Sequence, residues 1–262
     1  MARVRLDQLL TDLGLAQSRA EAQALIHAGQ VDLDGNRQLK PGQLVARDAS
    51  VSLVERPRWA SRAGVKLEAA LDSFGIDPTG RACLDAGAST GGFTDVLVAR
   101  GARIVYAVDV GRAQLIQRLR EDPRVVSMER TNLRTLRELP EPIDLATLDL
   151  SFISLRLVLP AVRDLLADAG RIVALVKPQF EAGREAVPRG GVVRDPTVWE
   201  RVLSSVATDA RAAGLDPFRA IRSPILGGDG NVEFLVDLRA HMGDEIGVAA
   251  YRESVAAALQ GT

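Results

Sequence analysis

Cysteine occurs once in the 262 residues and histidine twice. A lone Cys83 forms no intramolecular disulfide and builds no thiolate zinc site, and two histidines do not make an imidazole-rich metal centre. No apolar run reaches the roughly 18 to 20 residues that span a bilayer; even the stretch 151–162 is broken by Arg156. The first residues mix Arg3, Arg5 and Asp7 with leucines and carry no apolar signal core, so secretion is not expected. Net charge is scarce as well: 33 Lys+Arg against 34 Asp+Glu leave −1, which gives no overall pointer to a polyanionic partner. Disulfide-stapled, metal-centred and membrane-spanning classes are set aside, and the expectation is a cytoplasmic, metal-free protein.

What is present is an ordinary globular composition, with 47% hydrophobic and 26% charged residues. The length suits a medium domain with a small appendage. The charge is unevenly laid out. Residues 1–62 carry nine basic and seven acidic side chains and the remainder 24 and 27, so a mildly basic head precedes an acidic body. An excess of two is weak evidence for RNA on its own.

Leu6, Leu9, Leu10 and Leu13 recur at helical spacing, and Gly14 is a natural stop. Ser18-Arg19-Ala20-Glu21 reads as a capping box before a second apolar face of Ala22, Leu25 and Ile26, which Gly29 ends. Val31 and Leu33 alternate with aspartates before a Gly35-Asn36 turn, and Val45, Val51 and Leu53 predict further short strands. The set Arg5-Leu6-Asp7, Ser18-Arg19, Ala24-Leu25-Ile26, Gly29, Val31 and Gly35 resembles the RNA-binding domain first described in ribosomal protein S-four. That resemblance implies RNA contacts from Arg5, Arg19, Arg37 and Lys40, on phosphates rather than on base edges. Trp59, in a Pro57-Arg58-Trp59-Ala60-Ser61-Arg62 connection, suits a wedge between domains better than a base-stacking platform.

From residue 82 apolar runs alternate with helical stretches. Strands are predicted at 82–84, 104–108, 125–128, 143–148 and 172–176, and helices at 93–98, 114–119, 155–166 and from Asp195-Pro196 to about 213. Near-continuous apolar strands imply a parallel sheet covered on both faces. A glycine-rich turn at 226–231 then leads into a late strand at 232–236, expected to add antiparallel.

Asp85-Ala86-Gly87-Ala88-Ser89-Thr90-Gly91-Gly92-Phe93 follows the first of these strands and opens a helix. It lacks the G-x-G-x-x-G spacing of a dinucleotide fingerprint and the lysine of a P-loop. Its pattern resembles the S-adenosylmethionine loop of class I methyltransferases, which leaves a nicotinamide dehydrogenase as a distant reading. On that resemblance Asp85, Gly87, Ser89, Thr90 and Gly91 are cofactor candidates. Asp109, 22 residues after Gly87 at the end of the next strand, would accept the ribose hydroxyls, and Asn132 would approach the adenine.

The methyl acceptor is narrowed by elimination. The chain carries Asp149-Leu150-Ser151-Phe152 where an amine methylase would have an Asn/Asp-Pro-Pro-aromatic motif, and Cys83 lies inside a strand rather than at a nucleophile's position. A ribose hydroxyl instead needs a base and in-line placement, and a buried lysine of lowered pKa can be that base. Lys66, Asp149, Lys177 and Glu233 match the Lys-Asp-Lys-Glu tetrad of the FtsJ-like ribose 2′-O-methyltransferases, with Lys177 the preferred base. Lys66-Leu67, the 84–94 loop, Asp149-Leu150-Ser151-Phe152-Ile153-Ser154 and Val176-Lys177-Pro178-Gln179-Phe180-Glu181 resemble the TlyA family more narrowly, over essentially the whole chain. One departure is Arg62-Ala63-Gly64, where the family often has glycine at the position of Ala63.

The resemblance implies an α/β class I methyltransferase domain with a mostly parallel sheet, preceded by a small α+β RNA-binding domain. Expected boundaries are 1–58 for the RNA-binding domain, 59–64 for a linker and 65–262 for the methyltransferase domain. It further implies 2′-O-methylation of cytidine in ribosomal RNA, with S-adenosylmethionine as cofactor and ribosomal subunits as partners. Two alternatives stand beside it: an RNA-binding assembly factor that keeps the fold without activity, and a haemolysin, against which the absence of a spanning or long basic amphipathic segment argues.

Overall fold

The computed structural model describes residues 3–27, 30–36, 39–53, 58–112, 114–240 and 245–260, apart from the side chains of 184 and 245–247. Two compact units divide the chain at residue 58. In the first, β1 (Arg3–Arg5) runs directly into α1 (Leu6–Asp12), and α2 (Arg19–His27) follows. Then β2 (Val31–Leu33), β3 (Leu44–Ala46) and β4 (Val51–Leu53) form two antiparallel ribbons, β1 with β3 and β2 with β4.

Leu6, Leu9 and Leu10 bury one face of α1 against Ala22, Ile26, Val31 and Val45. Leu13 does not join that face: the helix ends at Asp12, and Leu13 sits at the C-cap, half exposed. At the start of α2, Glu21 N–H donates to Ser18 Oγ at 3.2 Å, while the Glu21 carboxylate accepts from Gln17 N–H rather than from Ser18. The capping box thus forms with its second half shifted by one residue.

The second unit opens with α3 (Ala63–Phe74), β5 (Ala82–Ala86), α4 (Gly92–Ala99), β6 (Ile104–Val108), α5 (Gln117–Arg120), β7 (Val125–Met128), β8 (Ile143–Leu148) and α6 (Leu159–Leu165). It continues with β9 (Leu166–Val176), α7 (Pro178–Glu181), α8 (Pro196–Ala212), β10 (Leu215–Arg222), β11 (Phe234–Ala240) and α9 (Glu245–Gln260). The seven strands lie in the order β10-β11-β9-β8-β5-β6-β7. Strands β9, β8, β5, β6 and β7 pair in parallel, and β11 is antiparallel to both its neighbours. Alternate residues of β5 enter two cores: Cys83 packs with Leu67, Phe93 and Leu145, and Leu84 with Ile143, Val162 and Leu203. Both sheet faces are therefore covered, which is why these strands read as near-continuous apolar runs.

Strand β10 and helix α9 had no counterpart among the predicted elements, and neither did the short β1 and α7. Strand β10 contains Pro217 and three charged residues, a composition that reads as loop; the proline is accommodated because β10 is an edge strand with a register shift between Pro217 and Arg219. The late strand also begins at Phe234, so Glu233 immediately precedes β11 instead of lying within it. No helix among the described residues is long and apolar enough to cross a membrane.

Candidate active site

The carboxyl ends of β5, β6, β8 and β9 carry the site. Ala86 and Leu148 are the last pair of the β5–β8 ladder, and Asp149 N–H then donates to Ala86 O at 3.0 Å. The two chains are still in contact as they leave the sheet, which decides residue 87. A Cβ on Gly87 would stand 2.4 Å from Asp149 O, and its φ is +87°, so only glycine fits there.

Beyond this point opens a cavity of about 430 Å³, lined by Gly87, Ser89, Asp109, Asn132, Asp149 and Phe152 among others. Asp109 is held by the loops around it: Oδ2 accepts from Ser89 N–H at 2.8 Å and Oδ1 from Gly111 N–H at 2.6 Å. Asn132 is exposed on the rim, and its side-chain oxygen caps the following turn by accepting from Arg134 N–H at 3.0 Å.

Asp85, Thr90 and Gly91 do not line the cavity. Asp85 is fully buried beneath the loop, where Thr94 Oγ donates to it at 2.6 Å and Thr147 Oγ at 3.3 Å. Burial pushes its carboxyl up to about 7; the Thr94 hydroxyl pulls the other way, and the nearby Asp149 charge pushes further up.

Lys66, Asp149, Lys177 and Glu233 form two lysine–carboxylate pairs. Lys177 Nζ lies 2.7 Å from Asp149 Oδ1 and donates to Ser151 Oγ at 3.0 Å. Lys66 Nζ is ion-paired with Glu233 Oε2, both side chains buried. Strand register relates the pairs. Val176 and Phe234 are antiparallel partners, so Lys177 and Glu233 are the next residues out on neighbouring strands.

Helix α3, which carries Lys66, starts at Ala63, whose φ is not positive, so the departure at that residue brings no strain. Gly64 is the constrained position: a Cβ there would fall 2.4 Å from Trp59 Cβ. Trp59 is buried in the second unit's core, with Nε1 donating to Glu68 Oε2 at 3.2 Å, and Ala60 N–H donates to Asp95 Oδ2 at 2.7 Å. Residues 59–64, expected as a linker, are thereby packed within this unit.

Three features of the site escaped sequence reasoning. Phe152 is 90% exposed and adopts φ +63°, on the cavity rim with its ring 5.1 Å from that of Phe180. Nothing in its residue type signals a left-handed conformation. Glu181 accepts from Ser154 Oγ at 2.7 Å and from Leu155 N–H at 2.8 Å; burial raises its pKa. Buried acceptors without a hydrogen-bond partner stand at Gln179 Oε1, two residues before Glu181, and at Glu129 Oε1, just after β7.

In the first unit, Arg5 and Arg19 meet on buried Asp7, and a Cβ on Gly42 would lie 3.1 Å from the Arg5 guanidinium, which brings the 40–43 loop alongside. Lys40 is exposed, and Arg37 lies outside the described residues. No group of three or more His, Cys, Asp or Glu side chains among the described residues is arranged to hold a metal ion.

Comparison with known proteins adds an independent line. The family model described as FtsJ-like methyltransferase matches residues 59–240, and that of the S4 domain matches residues 4–51. The 16S/23S rRNA (cytidine-2′-O)-methyltransferase TlyA of Mycobacterium tuberculosis (strain CDC 1551 / Oshkosh) is 45% identical over 263 residues, covering 98% of this chain and 97% of that protein. Hemolysin A of Brachyspira hyodysenteriae is 39% identical over 238 residues, 88% of this chain and 98% of its own. A solved structure from Streptococcus thermophilus, carrying a hemolysin name, superimposes with a TM-score of 0.74 at 41% identity and covers 99% of this chain and 97% of its own.

Proposed function

This chain belongs to the FtsJ-like methyltransferase family, and from that premise we propose that it methylates the ribose 2′-hydroxyl of a cytidine in ribosomal RNA, in the cytoplasm, with S-adenosylmethionine as methyl donor. The observation that carries the proposal is the Lys177–Asp149 pair at the rim of the glycine-loop cavity, with Lys66–Glu233 beside it.

The residues present suit the cofactor. Asp109 keeps lone pairs for vicinal hydroxyls after its two backbone contacts, Gly87 leaves room where any side chain would collide, and Glu129 Oε1 is a buried acceptor without a partner on the segment following β7. Asp109, Ser89, Gly87 and Asn132 would hold it. Bound there, S-adenosylmethionine supplies an electrophilic methyl group.

The chain's own part is to take a proton and fix an oxygen. A neutral lysine amine has two N–H bonds and one lone pair. Asp149 and Ser151 stand where they can take the two hydrogens, leaving the lone pair for the 2′-hydroxyl proton. As the O–H bond breaks, that proton goes to Lys177 Nζ and the bonding electron pair stays on the 2′-oxygen, which makes that oxygen the nucleophile. The ammonium produced is met at 2.7 Å by Asp149. Lys66 and Glu233 neutralise each other, so the buried site gains no net charge from them. The exposed Phe152 ring offers a stacking face to the nucleotide's base. Arg5, Arg19 and Lys40 would contact phosphates from the first unit.

Mapping 2′-O-methyl positions in ribosomal RNA from cells with and without the gene tests the reaction. Lys177→Ala is expected to lower transfer by about 10²- to 10⁴-fold with cofactor binding retained, as removal of a general base does. Full transfer by that variant would overturn the base assignment.

A further inference from the structure

We propose that Glu181 is a positioning residue that latches the two catalytic loops together and so sets the alignment of Asp149 and Ser151 on Lys177. The proposal rests on the methyltransferase reading above.

Strands β8 and β9 are parallel neighbours, paired up to Leu148 and Ala174; β8 ends there, and β9 continues to Val176 against β11 before it too leaves the sheet. Beyond the sheet no ladder holds them in register. Three contacts do so instead. Lys177 meets Asp149 and Ser151 at the base, the Phe180 ring meets Phe152 in the middle, and Glu181 closes the far end. The last contact uses the whole carboxylate: Oε1 accepts from Leu155 N–H at 2.8 Å and Oε2 from Ser154 Oγ–H at 2.7 Å. Ser154 Oγ in turn accepts from Arg156 N–H at 3.3 Å, capping the turn at Leu155–Leu157.

The turn that Glu181 holds is a strained one. Phe152 sits at φ +63°, a conformation that disfavours a bulky residue and persists only where the surroundings over-determine it. Residues 149–151 on one side are fixed by the sheet and by Lys177, and 154–155 on the other side by Glu181. Without the second anchor the turn relaxes, and Asp149 and Ser151 lose their placement on the amine. Misplacement by about 1 Å is enough to cost on the order of 10²-fold in rate. Glu181 is not among the cavity-lining residues, and its carboxylate bonds Ser154 and Leu155 while the Lys177 amine bonds Asp149 and Ser151, so its effect passes through the turn.

The test compares Glu181→Ala and Glu181→Gln in the full chain. The alanine variant is expected to lower kcat at least tenfold while KM for ribosomal RNA stays within about threefold. Amide exchange across 151–155 should rise at least tenfold, centred on Leu155 N–H. Glutamine keeps an acceptor for Leu155 and can donate to Ser154 Oγ, so Glu181→Gln should recover most of kcat. Should the alanine variant fail to fold, Ser154→Ala, which removes one of the two contacts, is expected to lower kcat about threefold. Unchanged exchange or kcat in the alanine variant, or a glutamine variant as impaired as alanine, would overturn the latch. Amide exchange reads the latch without any turnover, so an inactive wild-type chain would sink the methyltransferase reading alone.

Discussion

Two aspartates, one in each unit, are both fully buried and behave in opposite ways. Asp7, in the first turn of α1, accepts from Arg5 Nε at 3.0 Å and Nη2 at 2.8 Å, from Gln23 at 2.9 Å and from Arg19 at 3.2 Å. The Arg5 guanidinium holds its carboxyl far below the usual carboxylate range, against the opposing effect of desolvation. Asp85, at the root of the glycine loop, is met by uncharged donors, the Thr94 hydroxyl and backbone and the Thr147 hydroxyl, and burial pushes it up to about 7. Depth does not set the charge state of a buried acid; the charge of its donors does. In the RNA-binding unit a buried charge gathers arginines into an array, whereas in the catalytic unit an acid that titrates near neutrality braces the loop without bringing a full charge under the cofactor site.

The strongest way to break this contrast is to follow stability against pH with and without Asp85. Its folded-state pKa stands above the unfolded value, so the folded chain keeps the proton where the unfolded chain has released it. The stability it contributes is full below the unfolded pKa of about 4 and is lost as pH rises through about 7. Relative to Asp85→Asn, the wild type should therefore gain about 2–4 kcal/mol on going from pH near 8 to pH near 4, measured by urea unfolding. A difference that does not change with pH would show that Asp85 is ionised throughout.

Asp7 supplies the next test, because simple electrostatics and geometry predict opposite signs. Asp7→Asn removes a negative charge and should tighten binding to a polyanion if the arginines act only as free charge. If the carboxylate instead fixes Arg5 and Arg19 in place, affinity for ribosomal RNA should fall about tenfold, or ~1.4 kcal/mol. Titrations at several salt concentrations separate the two, and tighter binding at every salt would dissolve the array. The two arginine side chains are about half exposed, 47% and 50%, so solvent tempers the effect on folding stability.

The same contrast shows what the amino-acid pattern could reveal. Strands 104–108, 125–128 and 143–148 were legible to the residue, because parallel strands leave short runs rich in Val, Ile and Leu, which Ser127, Asp144 and Thr147 interrupt without hiding. Lys66 and Glu233 lie 167 residues apart, and only the resemblance to a family pattern joins them; no local rule predicts that pair. Charge counting was misled by Asp7, which it subtracts from the basic head as though it were a surface acid. The residue is buried and engaged with two of the arginines counted against it. Phe152 was invisible for a different reason: its left-handed turn is imposed by contacts on both flanks, and side-chain type alone gives no sign of it. Glu181 stood within a recognised motif, yet its partners arrive from another strand's loop, 26 and 27 residues away in sequence.

The smallest expected effect is also the sharpest. Thr94→Val deletes the 2.6 Å hydroxyl donor to Asp85 and keeps the shape of the side chain. That hydrogen bond lowers the Asp85 pKa, so its loss should move the carboxyl's titration above 7, followed by its carbonyl stretching band across a pH series. The cost in stability should be about 1 kcal/mol near pH 8, where an ionised Asp85 loses a donor, and should shrink towards pH 5, where the acid is protonated. Gln23→Ala removes the corresponding neutral donor from Asp7, at 2.9 Å. Because Asp7 stays ionised across that range, the cost of Gln23→Ala should be the same at both pH values. One donor deletion that depends on pH and one that does not would place the two buried acids in opposite charge states within a single chain. Equal pH dependence in both variants would mean that the donors around each carboxylate do not decide its charge.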